Sequence, residues 1–113
     1  MTPIQAIKSA KQIVTLKLSE LQAEVAPYGH TPDAPHFIRH KRRIIKDYIS
    51  LLERAQPTPA DKEILVEVLR QRADQSAFAA RLFRFRPDDA SEDIKAEALE
   101  WDKCTEAYSV LRY

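Results

Sequence analysis

The strongest constraint on the fold is the placement of apolar residues in the segment 33–55, DAPHFIRHKRRIIKDYISLLERA. Counted at about 100° per residue around a helix, its large apolar side chains fall in one arc of a little under half the circumference. The members of this arc are Phe37, Ile38, Ile44, Ile45, Tyr48, Ile49, Leu51, Leu52 and Ala55. An arc of this width has to face a core, so the segment predicts a helix over residues 34–55, with Asp33 as its cap.

Three further segments show helical periodicity between turns that contain proline, and they predict helices over about 3–26, 59–85 and 89–112. The dipeptides Thr2-Pro3 and Thr58-Pro59 each place a hydroxyl at the cap and proline at the first helical position. The chain has one glycine and no strand-like alternation, which argues against a hairpin-rich β fold. We therefore expect one all-α domain over residues 1–113, a four-helix up-down-up-down bundle.

Composition limits the class of protein further. Leu, Ile, Val and Phe supply 28 residues, enough for a core without disulfides or metal. Cys104 is the single cysteine, so an internal disulfide is excluded. No stretch approaches the length of a membrane span, and the opening segment MTPIQAIKSAKQ lacks the apolar core of a signal peptide. We expect a cytoplasmic protein that does not bind a membrane.

The first predicted helix carries apolar residues at coiled-coil spacing, with Lys11 interrupting the seam. This seam consists of Ile4, Ile7, Val14, Leu18, Leu21 and Val25. Ile13 and Leu16 lie well off it. They are interpreted either as ordinary exposed residues or part of a wider buried face, or as a seam for a second subunit or partner helix.

Polar residues interrupt the inner face of the third predicted helix at Gln71, Arg72, Gln75 and Ser76. This helix either carries a polar layer into the core or is locally exposed there. Lys41, in the middle of the apolar arc of the second helix, either pairs with Glu97 or extends its ammonium group to the rim.

Positive charge is concentrated on the second and third helices, whereas residues 87–113 carry eight acidic against three basic residues. Two clusters form a candidate binding surface for a phosphate backbone or an acidic protein. They consist of Arg39, Arg42, Arg43 and Lys46 on the second helix, and of Arg81, Arg84 and Arg86 at the end of the third. Alternating helices would bring the two clusters near each other. Neither cluster contains a recognition-helix motif or a platform of stacking aromatics.

His36 and His40 have the spacing of two imidazole ligands on one helix, with Asp47 further along the same side and His30 upstream. Adjacent positive charge from Arg39 and its neighbours disfavours a divalent cation, so no metal site is predicted.

Signatures of enzymes, such as a glycine-rich phosphate loop or a nucleophile elbow, are missing. By elimination, we expect a non-enzymatic helical adaptor, regulator or inhibitor without a cofactor, which binds another protein and forms a possible homodimer. The alternative is a nucleic-acid-binding accessory protein that uses the basic face of the second helix.

Overall fold

The structure is a computed structural model that describes residues 1–29 and 31–112. Four α-helices account for most of this part of the chain, and it contains no strand. They are α1 (Pro3–Val25), α2 (His36–Glu53), α3 (Pro59–Phe85) and α4 (Glu92–Arg112). The all-α prediction is confirmed, and the four helices pack against one another.

Capping boxes fix the starts of α1 and α3. The Thr2 hydroxyl accepts a hydrogen bond from the Gln5 amide at 3.2 Å, and the Gln5 side chain accepts one from the Thr2 amide at 2.9 Å. Thr58 and Asp61 repeat this reciprocal arrangement at α3, with distances of 3.1 and 3.0 Å. Each box satisfies two amide groups that a helix start otherwise leaves without partners.

The other two helices begin later than their patterns predict. Pro35, not Asp33, occupies the cap of α2, and no side chain caps this helix. Pro87 opens a short 3-10 turn, and the extended backbone of Ala90 separates that turn from α4. The helix then begins after Ser91, whose hydroxyl accepts a hydrogen bond from the Ile94 amide at 3.3 Å.

Helix α1 lies at the centre of the arrangement and contacts each of the other three helices. Small residues, Ala6, Ser9 and Ala10, are buried along it and permit close approach of its neighbours. The core cluster combines residues from all four helices: Ala6, Ala10, Ile13 and Val14 from α1, Leu51 from α2, Leu65, Val68 and Leu69 from α3, and Cys104 and Ala107 from α4.

Because α1 is central, the residues that it buries differ from those of the predicted seam. Ile13 is only 5% exposed and belongs to the core, whereas Ile4 of the expected seam is 68% exposed. Ile13 therefore belongs to a wider buried face and is not available to a partner. A helix surrounded on three sides buries more than one stripe, which coiled-coil spacing does not anticipate.

The polar residues of α3 form an inward layer at three of their four positions. Ser76 is buried, Gln71 accepts a hydrogen bond from the Lys17 ammonium, and Arg72 Nε lies 3.5 Å from Glu100 Oε1, while Gln75 is exposed. Burial is the largest influence on Lys17 and lowers its pKa, against the opposing charges of nearby acids.

Helix α2 packs chiefly on α1, and it diverges from α3 to leave a groove between them. The predicted pair of Lys41 with Glu97 is wrong, because Lys41 forms an ion pair with Glu24 of α1. The molecule measures 52 × 31 × 17 Å, with a radius of gyration of 16.3 Å. None of the helices in the described residues is long and apolar enough to cross a membrane.

Candidate protein-binding surface

The groove between α2 and α3 has a volume of about 430 Å³. Its apolar wall comes from Ile44 and Tyr48 on α2 and from Ile64 and Val68 on α3, with Ala60 at the start of α3. Three carboxylates and one amide also line it: Asp47, Glu63, Glu67 and Gln71. We call this feature the α2–α3 groove; it combines an apolar interior with acidic side chains.

The electrostatics of the groove follow from its neighbours. Burial raises the pKa of Tyr48, so its hydroxyl stays protonated over a wider pH range. Hydrogen bonds from Arg70 hold the pKa of Glu67 below its ordinary value, so this carboxylate is negative at neutral pH.

A row of exposed apolar residues follows on α3, beyond the groove. Phe78, Leu82 and Phe85 are spaced four and three residues apart and therefore share one side of the helix. Their exposed fractions are 70%, 36% and 85%. We call these three residues the α3 stripe. At 100° per residue the stripe lies on the same side of α3 as Ala60 and Ile64 of the groove, so groove and stripe follow each other along one side of the helix.

The sequence pattern only partly identified this surface. The helical periodicity of residues 59–85 places Phe78 at the edge of the apolar face and Leu82 on it, whereas both are substantially exposed. The i, i+4, i+7 spacing that ends at Phe85 was the available signal. It indicates an apolar row but cannot distinguish a row that faces the core from one that faces solvent.

The basic residues of α2 have different surroundings and do not form a single cluster. His36, Arg39, His40 and Arg43 line a small pocket of about 70 Å³ near the start of the helix. Arg42 instead donates hydrogen bonds to the carbonyl oxygens of Gly29 and Thr31, the latter at 3.2 Å. Gly29 has a φ of 55°, a conformation that glycine adopts without strain. Arg42 therefore ties the turn after α1 to α2, while Lys46 is exposed one turn beyond Arg43.

The basic cluster at the end of α3 lies beside the α3 stripe. The guanidinium carbon of Arg84 is 5.4 Å from the centroid of the Trp101 ring, a cation–π contact with α4. Arg81 and Arg86 are exposed.

Among the described residues, no further ligand lies with the histidine pair. Asp47 lines the α2–α3 groove, away from the pocket that contains His36 and His40, and His30 lies outside the described residues. Within residues 1–29 and 31–112, no group of three or more His, Cys, Asp and Glu side chains is placed to hold a metal ion.

The exposure of Leu16 and the burial of Cys104 decide whether these two side chains can contact a partner or react. Leu16, unlike Ile13, is 58% exposed on α1. Cys104 is buried, and burial, together with the neighbouring carboxylate of Glu100, raises its pKa to about 11. Its thiol is therefore protonated at neutral pH and is a poor nucleophile.

Comparison with known proteins adds no relative. No protein-family model matches the chain, and no match was found among curated proteins or among solved structures.

Proposed function

We propose that this protein is a small non-enzymatic helical adaptor, regulator or inhibitor that binds another protein through the α3 stripe and the α2–α3 groove. The observation that carries the proposal is the exposure of Phe78 and Phe85 on one side of one helix. Burying a phenylalanine side chain is worth about 1.5–3 kcal/mol. Two such rings left in water next to an apolar groove are typical of a binding surface.

The form of the surface supports a helical partner. Apolar anchors and a neighbouring pocket, with charged residues around them, resemble the centre and rim of a protein interface. An amphipathic helix laid along α3 would contact the α3 stripe at one end and enter the α2–α3 groove at the other. The thiol of Cys104 is buried and protonated, so we propose no covalent step at this residue.

The proposal includes a single domain in which successive helices alternate in direction, in a protein that works in the cytoplasm. Two contacts support the alternation. The N-terminal ammonium of Met1 lies 2.8 Å from Glu106 near the end of α4, and Lys11 in the first half of α1 donates to the Arg54 carbonyl after α2 at 3.1 Å.

A differential capture experiment tests the proposed function. The wild-type chain and a Phe78→Asp/Phe85→Asp variant are used as bait in a nuclease-treated lysate of the source cells, with Leu99→Asp as the matched control. Leu99 is 70% exposed, but it lies on α4. We expect a stoichiometric partner to bind the wild type and Leu99→Asp and to be lost with the double variant. A partner retained by the double variant would place binding elsewhere.

Nucleic-acid binding through the basic face of α2 is the second candidate. The observation that favours it is the pocket lined by His36, Arg39, His40 and Arg43, which contains no acidic residue. Replacing Arg39, Arg42 and Arg43 with alanine should then remove most affinity for DNA or RNA and reduce its salt dependence. Because Arg42 also holds the turn at Gly29, Arg42→Ala alone serves as the control. Undiminished affinity in the triple variant would eliminate this candidate.

A further inference from the structure

We infer that the α3 stripe and the α2–α3 groove are complementary halves of one interface, which pairs two copies of this chain with their α3 helices antiparallel. This inference rests on the proposed function, because it names the partner of the same surface as a second copy. It commits to a twofold arrangement in which the groove end of each α3 meets the stripe end of the other.

The charges of α3 favour this arrangement. The half of α3 beside the groove carries Glu63 and Glu67, whereas the half beside the stripe carries Arg81. Parallel helices in register would place Glu63 against Glu63 and Arg81 against Arg81, but antiparallel helices can place Glu63 of each copy against Arg81 of the other. Neither Glu63 nor Arg81 takes part in an ion pair among the described residues, so both are available to a partner.

Side-chain sizes agree with the same register. When Glu63 is placed opposite Arg81 of the second copy, Phe85 falls at the level of position 59, next to Ala60, and Leu82 falls at the level of position 62, between Ala60 and Ile64. Phe78 then falls at the level of position 66, between Ile64 and Val68, where the α2–α3 groove provides a recess. Each large exposed side chain of the stripe thus meets a small residue or the groove.

The twofold axis passes near the middle of α3, where each copy meets its own symmetry mate. In this register Asp74 of each copy falls opposite Arg70 of the other, so opposite charges meet near the axis. Within each chain Arg70 Nη1 also donates to Asp74 Oδ2 at 2.9 Å. The segment around the axis therefore carries a paired carboxylate rather than an isolated charge.

The exposed phenylalanine rings supply a large share of the apolar surface that a specific contact requires. A buried aromatic side chain removes roughly 150–250 Å² from water, so the four exposed phenylalanine rings of two copies supply on the order of 600 Å². This is about half of the ~1,200 Å² of the smallest stable protein interfaces, before the groove and the flanking side chains are added.

Reversing the charge at Glu63 or at Arg81 tests whether two copies pair in this way. Sedimentation equilibrium of the wild type is expected to show twice the mass of one chain at concentrations up to about 0.5 mM. Glu63→Arg and Arg81→Glu should each weaken dimerisation at least about tenfold, because like charges then face each other twice. An equimolar mixture of these two variants should form the dimer again, since one chain supplies only arginine and the other only glutamate.

The stripe itself is tested by Phe78→Asp, which should give a folded monomer by circular dichroism and sedimentation. Phe85→Ala is a milder second variant in case Phe78→Asp does not fold, and it should also weaken the dimer. A wild-type mass of one chain over the whole concentration range would overturn the inference, as would a dimer that both charge variants leave unchanged.

Failure of the dimer and failure of the proposed function give different results. If the wild type is monomeric but a captured protein is lost with Phe78→Asp/Phe85→Asp, the occupant of the surface is another protein and only the pairing of copies is wrong. If the wild type is monomeric and the double variant captures the same proteins as the wild type, both are wrong.

Discussion

Asp61 shows how a single residue can serve two elements at once. Its carboxylate accepts the Thr58 amide in the capping box of α3 and pairs with Arg54 after α2 at 2.5 Å. Burial is the largest influence on its pKa and acts to raise it. The hydrogen bonds from Thr58 and Arg54 and the charge of Arg54 outweigh burial, so the pKa lies below its ordinary value of 3.8.

Removal of this side chain should therefore destabilise the fold. We expect Asp61→Ala to reduce the free energy of unfolding by about 1–3 kcal/mol, since a helix cap and a charged hydrogen bond are lost. Asp61→Asn should cost less, because an amide oxygen can still accept from Thr58. Urea denaturation at neutral pH measures both, and an unchanged midpoint for Asp61→Ala would contradict this role.

The same carboxylate gives stability a defined pH dependence. Because its pKa is lower in the folded state, its contribution is complete above the ordinary value of 3.8 and is lost as the pH falls below that value. Denaturation of wild type and Asp61→Asn across this range should show their stabilities converging toward acid. A constant difference between them would mean that the charge of Asp61 is not responsible.

At the scale of the helices, the small residues of α1 control the packing of the core. Ala10 is completely buried in the cluster that includes Ala107 of α4. We expect Ala10→Leu to lower the free energy of unfolding by about 1–3 kcal/mol, because a close-packed site cannot accept a larger side chain without displacement. Ala23→Leu is the matched control, since Ala23 is exposed on the same helix. Equal thermal stability of the two variants would show that α1 is not tightly packed at Ala10.

Periodicity and caps predicted the helices better than they predicted helix neighbours. The Thr2 and Thr58 capping boxes are local signals, so the starts of α1 and α3 agree with the sequence analysis. Asp33 has the right chemistry for a cap, but the turn preceding Pro35 places it outside α2. Lys41 contacts Glu24 because α2 lies on α1, and nothing within the segment 33–55 specifies which helix it packs against.

At the scale of the whole molecule, the arrangement is flatter and more extended than a compact domain. A compact chain of this length has a radius of gyration of roughly 13 Å, against the observed 16.3 Å. The difference reflects the divergence of α2 from α3 and the length of the α3–α4 pair. The extended form leaves the α2–α3 groove open along one side of the molecule.

The candidate surface was harder to predict than the fold, because it depends on how the helices pack against one another. The basic residues were visible in the sequence, but Arg42 is used to hold a turn and Arg84 lies over Trp101. The exposure of Phe78 and Phe85 depends on which side of α3 the other helices leave uncovered. That choice is made by tertiary packing, and a pattern within one helix contains no information about it.

Helix α2 depends for its packing chiefly on one neighbour, α1, whereas α3 and α4 support each other along their lengths. Cooperative units of a protein open with different free energies, and a unit with few tertiary contacts opens first. The amides of α2 should therefore exchange with deuterium well before those of α3 and α4, while the rest of the chain stays folded. Hydrogen exchange followed by mass spectrometry measures this order, and equal protection of all four helices would mean that the chain opens as one unit. If α2 does open first, its release would uncover the apolar side of α1 in an otherwise native molecule, so occupancy of the α2–α3 groove would slow exchange in α2.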